Sequence, residues 1–147
     1  MITIVIVTQE AHIAKAMAEL ISTIAAEVQP GATRVLPACT PDDVLNILAR
    51  GPIDVLIVEH RLNGTTGFEL VRWLETGLTN ATKILLTDDS RILSDPWTFL
   101  GRDFNAVLPR PLGRQSLRLT LERWLHPSMR RKARRRGHAG RRAEASR

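Results

Sequence analysis

Three stretches of this chain are apolar at nearly every position: Ile2–Val7 (ITIVIV), Val55–Val58 (VLIV) and Ile84–Leu86 (ILL). A strand with one wet face alternates polar and apolar residues, whereas a strand apolar throughout needs cover on both faces. That is the situation of a parallel sheet lying between two layers of helices. Stretches of helical period separate the apolar runs, so the chain reads as βαβ units. Strands are predicted at Ile2–Thr8, Thr33–Pro37, Ile53–Glu59, Lys83–Thr87 and Asn105–Leu108, and helices at Ala11–Val28, Pro41–Arg50, Gly67–Glu75, Asp95–Leu100 and Arg114–His126. The expected fold is α/β: a five-stranded parallel sheet, doubly wound, with helices on both faces.

Local chemistry agrees with this division. Thr40-Pro41-Asp42-Asp43 supplies an N-cap hydroxyl, a proline at the first helical position and acids in the first turn, where the helix dipole favours them. Ser94-Asp95-Pro96 repeats the signal before the fourth predicted helix, and Pro30-Gly31, Gly51-Pro52, Gly77 and Gly101 punctuate helix ends. Right-handed crossovers bring the C-terminal ends of the first, third, fourth and fifth strands to one edge, so Thr8, Glu59, Thr87 and Pro109-Arg110 are expected to meet. In open α/β sheets ligands bind at that edge, which makes Glu59, a lone carboxylate at the end of an apolar strand, the residue to explain.

The 147 residues suffice for one domain with a proper core. Charge is unevenly spread. Residues 127–147 hold nine Lys or Arg against the single acid Glu144, while residues 1–126 hold 12 basic and 14 acidic residues. The natural division is a mildly acidic globular domain over 1–126 and a basic tail over 127–147. Cys39 is the one cysteine, with no partner for a disulfide and no Cys or His at metal-ligand spacing, and it reads as a plain buried thiol. The run Ile2–Val7 lacks a basic lead-in and a cleavage site and is too short to cross a bilayer, so a cytoplasmic protein is expected.

Three stretches give the chain a family likeness: ITIVIVTQE at the start, DVLIVEHRLNGTTGFEL in the middle, and KILLT followed by FNAVLPRPL. Over residues 1–126 the sequence resembles a response-regulator receiver domain, the CheY-like (flavodoxin-like) phosphoryl-accepting module of two-component signalling. The middle stretch is the most specific, with strand, acid, Leu62-Asn63-Gly64, Gly67 and helix at family spacing.

The resemblance also exposes departures at the reactive positions. Receivers hold Mg²⁺ with two adjacent acids after the first strand, where this chain has Thr8 and Gln9, with Glu10 following. Mg²⁺ prefers hard, charged oxygen ligands, so its binding is expected to be lost and no cofactor is expected. The phosphoacceptor position is Glu59, whose carboxylate lies one methylene further from the backbone than that of Asp. A displacement of about 1 Å can cost on the order of a hundredfold in an in-line transfer. The family lysine is Arg110, a planar fork suited to gripping a carboxylate. Thr87 keeps the family hydroxyl, Val107 stands at the aromatic switch position, and Arg110-Pro111 matches a bond usually cis in receivers. These substitutions imply a receiver without phosphorylation chemistry, with Glu59 and Arg110 in a fixed, partly buried ion pair that imitates either the active or the resting state.

Other side chains read more plainly. His60 is expected in a loop and His12 in solvent, while Asp88 and Asp89 are expected as turn residues rather than substitute metal ligands. Trp73, Trp97, Trp124, Phe68, Phe99 and Phe104 are expected to pack the interior rather than stack on bases. TQEAHI takes the place of a glycine-rich phosphate loop, and no Ser, Cys or His arrangement supports nucleophilic catalysis, so the chain is not expected to be an enzyme.

The tail is too poor in apolar residues to order itself, although Met129–Arg136 can lengthen the last helix. Arg130, Arg131, Lys132, Arg134, Arg135, Arg136, Arg141 and Arg142 can bind nucleic acid through its phosphates without reading sequence, or an anionic membrane surface. A solubilising extension without a specific partner is the alternative. The preferred reading is an atypical single-domain response regulator acting through protein contacts. By resemblance, the contact face is built from the fourth helix, fifth strand and fifth helix, and the partner is a signalling protein, a histidine kinase or a second copy of the chain. A nucleic-acid-associated factor using the tail and a working phosphoacceptor are the competing readings.

Overall fold

The computed structural model describes residues 1–31, 33–98 and 103–126. The basic tail, Phe99, Leu100 and Gly101 lie outside the described residues. The elements run β1 (Ile2–Val7), α1 (Ala11–Val28), β2 (Thr33–Ala38), α2 (Pro41–Arg50), β3 (Val55–Glu59), β4 (Arg61–Leu62), β5 (Thr65–Thr66), α3 (Gly67–Trp73), β6 (Thr82–Thr87), α4 (Ser90–Ser94), β7 (Ala106–Pro109) and α5 (Arg114–Trp124). Short 3₁₀ turns cover Glu75–Leu78 and Pro96–Thr98.

Five strands form one parallel sheet in the order β2-β1-β3-β6-β7, and β4 with β5 forms a separate two-stranded antiparallel hairpin. The chain winds outward from β1 to β2 and then reverses to β3, so the winding changes direction between β1 and β3, the point at whose C-terminal side open α/β sheets bind ligands. The all-apolar strands supply both faces. Val5, Val7, Leu56, Val58 and Leu85 join Val44, Leu70, Leu78 and Phe104 in one core. Ile4, Ile6, Val55, Ile57 and Ile84 join Ile21, Ile24, Leu117, Leu121 and Trp124 in the other. Each such buried side chain contributes about 1.5–3 kcal/mol relative to exposure.

Termini and edges follow from named residues. The Thr40 hydroxyl accepts from the Asp43 N–H and the Asp43 carboxylate accepts from the Thr40 N–H, a full capping box at the start of α2. Along the edge strand β2, Ala38 turns its carbonyl toward β1, accepting from the Thr8 N–H. Its neighbour Pro37 therefore faces the free edge, where it offers no N–H to a foreign strand. Glu27 of α1 pairs with both Arg114 and Arg118, tying α1 to α5.

Several expectations need correction. The fourth helix lies at Ser90–Ser94, ahead of the Asp95 start expected for it, because the Asp89 carboxylate accepts from the Arg91 N–H and starts the helix there. Pro96 disfavours helical geometry at Asp95, whose φ of −137° and ψ of 67° end the helix, and a 3₁₀ turn follows. α3 ends at Trp73, two residues early, and α5 at Trp124. Trp73 and Trp97 are 59% and 82% exposed rather than packed inside, while Trp124 and Phe104 are buried as expected. Cys39 is half-buried. Among the described residues no helix is long and apolar enough to cross a membrane.

Candidate functional site

At the C-terminal edge of the sheet, Glu59 ends β3, Thr8 follows β1, Thr87 ends β6 and Arg110 follows β7. Parallel pairing sets Glu59 beside Leu86, and the Arg110 N–H donates to the Thr87 carbonyl at 3.0 Å. The backbone thus fixes the height of all four residues before their side chains are considered.

Arg110 Nη1 donates to Glu59 Oε2 at 2.9 Å, linking residues from the two strands that flank β6. The partners are unequally placed: the Glu59 side chain is 8% exposed and that of Arg110 40%. Burial pushes the Glu59 carboxyl above its ordinary value; the Arg110 charge opposes the shift, and the nearby carboxylates of Asp88 and Glu10 add to it. Arg110 fails to reverse the shift because water reaches its guanidinium and screens it. Glu59 is therefore a caged carboxylate, held at one oxygen by a cation.

The surrounding groups make hydrogen bonds of their own. The Thr8 hydroxyl donates to the Glu10 carbonyl at 2.9 Å, and the Thr87 hydroxyl accepts from the Asp89 N–H at 3.0 Å. Gln9 Nε2 donates to Asn63 Oδ1 at 3.2 Å, and Asn63 Nδ2 donates to the Gln9 carbonyl at 2.8 Å. Gly67 starts α3 so close to β3 that a Cβ there would lie 2.6 Å from the Glu59 carbonyl oxygen. Arg91 bonds to Asp89 and holds its carboxyl at about 2, with the Arg91 N–H adding to the effect. Asp89 is thus spent on starting α4, as a turn acid would be.

No family model and no curated protein matches the chain. Solved structures do. A response regulator receiver domain protein from Clostridium thermocellum is 19% identical with a TM-score of 0.69, covering 90% of this chain and 97% of that one. A CheY-like response regulator receiver domain from Methylobacillus flagellatus is 17% identical with a TM-score of 0.67, covering 84% and 98%. The signal receiver domain of an HD domain-containing protein from Pseudomonas fluorescens Pf-5 is 22% identical with a TM-score of 0.63, covering 96% and 92%. The fold is that of a receiver domain. These likenesses span nearly the whole of each receiver domain.

Within the receiver fold, the expected pocket residues Thr8, Gln9, Glu10, Glu59, Thr87 and Arg110 all come to one edge, and Arg110-Pro111 is cis. Val107 is half-buried in β7, opposite Leu85. His12 is exposed and lies 3.2 Å from Glu10. His60 lies in the bend between β3 and β4, as expected of a loop residue; its main-chain N–H donates to the Leu86 carbonyl, and its half-buried ring stands edge-on to Phe68.

Mg²⁺, the ion of the receiver family, does not fit the residues present. The positions of the two acids offer a neutral alcohol and a neutral amide in place of carboxylates, and the Glu59 carboxylate faces a guanidinium. Among the described residues no three His, Cys, Asp or Glu side chains are grouped to hold a metal ion.

Sequence reading names Asn63 only within the Leu62-Asn63-Gly64 spacing and gives it no role. Its signal was present in Asn63-Gly64, the dipeptide most typical of a two-residue hairpin turn, here joining β4 to β5. Gly64 takes φ +72° while no non-glycine residue among the described residues has positive φ, so the turn is of type II character rather than type I′.

Proposed function

We propose that this chain is a cytoplasmic, atypical single-domain response regulator of two-component signalling that works by protein contacts and is not itself phosphorylated. The partner is a signalling protein or a histidine kinase, and a second copy of the chain is a further partner of the same kind. The observation that carries the reading is the 2.9 Å Glu59–Arg110 pair, which fills the phosphoacceptor position with a carboxylate already bound to a cation. In-line phosphoryl transfer rests on positioning and on metal neutralisation of developing charge. Here the acceptor is lengthened and the metal acids are replaced by Thr8 and Gln9. With Val107 in the place of the aromatic switch, no ring is available at that position to report a change in the pocket. The receiver fold of the similar structures supports the signalling role.

Beryllium fluoride with magnesium, a stable mimic of a phosphoryl group, tests this reading. Amide resonances of Thr8, Glu59, Thr87 and Arg110 are expected to stay where they are. A second set of peaks for these residues, in slow exchange, would overturn it.

A further inference from the structure

The residues that replace the metal-binding acids do more than omit a cation. Gln9 belongs to the turn between β1 and α1, and Asn63 to the hairpin that leaves β3, 54 residues away in sequence. Their two hydrogen bonds run in opposite directions: amide to amide at 3.2 Å, and Asn63 Nδ2 to the Gln9 main-chain oxygen at 2.8 Å. Asn63 thus satisfies both a donor and an acceptor on the facing loop, one of them main chain and independent of the Gln9 side chain. Two further features fix its place. Gly64, with φ +72°, makes the turn that presents Asn63, and the Thr8 hydroxyl braces the facing turn through the Glu10 carbonyl.

We infer that the Asn63 amide takes over the task of a divalent cation, holding the β1–α1 turn against the β3 hairpin so that the two loops stay together without metal. Asn63 is a positioning residue: it touches no reacting group and acts by fixing the loops around Glu59. The chemistry fits the task, because an amide supplies in one planar group the donor that a carbonyl oxygen needs and the acceptor that a side-chain N–H needs. A carboxylate at 63 would turn an anion toward the Gln9 carbonyl oxygen and would require a cation between them.

This inference rests on the reading of the pocket as metal-free, and the tests separate the two. Backbone ¹⁵N order parameters at Gln9, Glu10, Asn63 and Gly64 are expected near the rigid value of about 0.85 in the unaltered chain and unchanged by millimolar magnesium chloride. In Asn63→Ala they are expected to fall below about 0.6 at the same positions, with the β1 and β3 values unmoved. Asn63→Asp is expected to loosen the loops likewise, and magnesium is expected to restore their order in this variant alone, a response that a mere loop hydrogen bond would not give. Loops that stay ordered in Asn63→Ala, or an Asn63→Asp variant indifferent to magnesium, would overturn the inference and leave the unphosphorylated reading standing. Loops of the unaltered chain that tighten on adding magnesium would overturn both.

Discussion

Arg110→Ala is expected to lower the stability of the fold by about 2–3 kcal/mol at neutral pH, and by much less in acid. Removing one partner of a fully buried pair costs about 3–5 kcal/mol, because the other charge is stranded. Here the Arg110 side chain is 40% exposed, so solvent already screens the pair and the expected loss lies below that range. The pH dependence follows from Glu59, whose carboxyl is raised in the folded chain, by burial first, above the ordinary value of 4.5. A raised group contributes its stability fully below the unfolded value and loses it as pH climbs through the folded one. Arg110 is the one cause that lowers the Glu59 value, so the variant loses more over a wider span of pH. Wild type and Arg110→Ala should therefore converge below pH 4.5 and diverge above it. Urea unfolding at stepped pH, followed by the buried Trp124, measures this. Adding Glu59→Gln to Arg110→Ala removes the stranded charge and should recover most of the loss at neutral pH. A neutral-pH difference under about 0.5 kcal/mol would mean that the ion pair does not hold the site.

Gly67→Ala is expected to be the second large effect, with Gly77→Ala as its control. A methyl group on Gly67 would meet the Glu59 carbonyl oxygen at 2.6 Å and Leu85 Cδ1 at 3.1 Å. The carbonyl belongs to β3 in the centre of the sheet and cannot retreat, so α3 must move. Overpacking of this kind costs about 1–3 kcal/mol. A methyl group on Gly77 meets the Leu48 side chain, nearest at Cδ1 at 2.9 Å, the end of a side chain that can turn aside, so Gly77→Ala should stay within about 0.5 kcal/mol of wild type. Thermal unfolding of the two variants side by side checks the difference; equal effects would deny Gly67 its role in seating α3 on the phosphoacceptor strand.

The parts of this molecule that could be read from sequence are those set by a single strong rule. ITIVIV and VLIV announce central parallel strands because both faces are apolar, and the structure divides their side chains between two cores. Crossover handedness then places Glu59 near Arg110 before any coordinate is known. Where two rules competed, the sequence misled. Ser94-Asp95-Pro96 reads as a helix start and Asp89 only as a turn acid, yet the helix starts at Asp89, whose N–H is received by the Thr87 hydroxyl. Helical spacing placed Trp73 inside, but α3 ends at that residue and leaves the ring on the surface. The contact of Asn63 was not legible because an exposed amide has no period and no charge, and its partner lies on another loop.

Incubation with acetyl phosphate and magnesium, followed by intact mass, is the most direct test of the claim that the Glu59–Arg110 pair has replaced phosphoryl chemistry. The mass is expected to remain that of the unmodified chain, in wild type and in Arg110→Ala alike, since the lengthened acceptor and the missing metal acids are common to both. A stable gain of one phosphoryl group on the wild-type chain, located at Glu59 or a neighbouring acid, would contradict it.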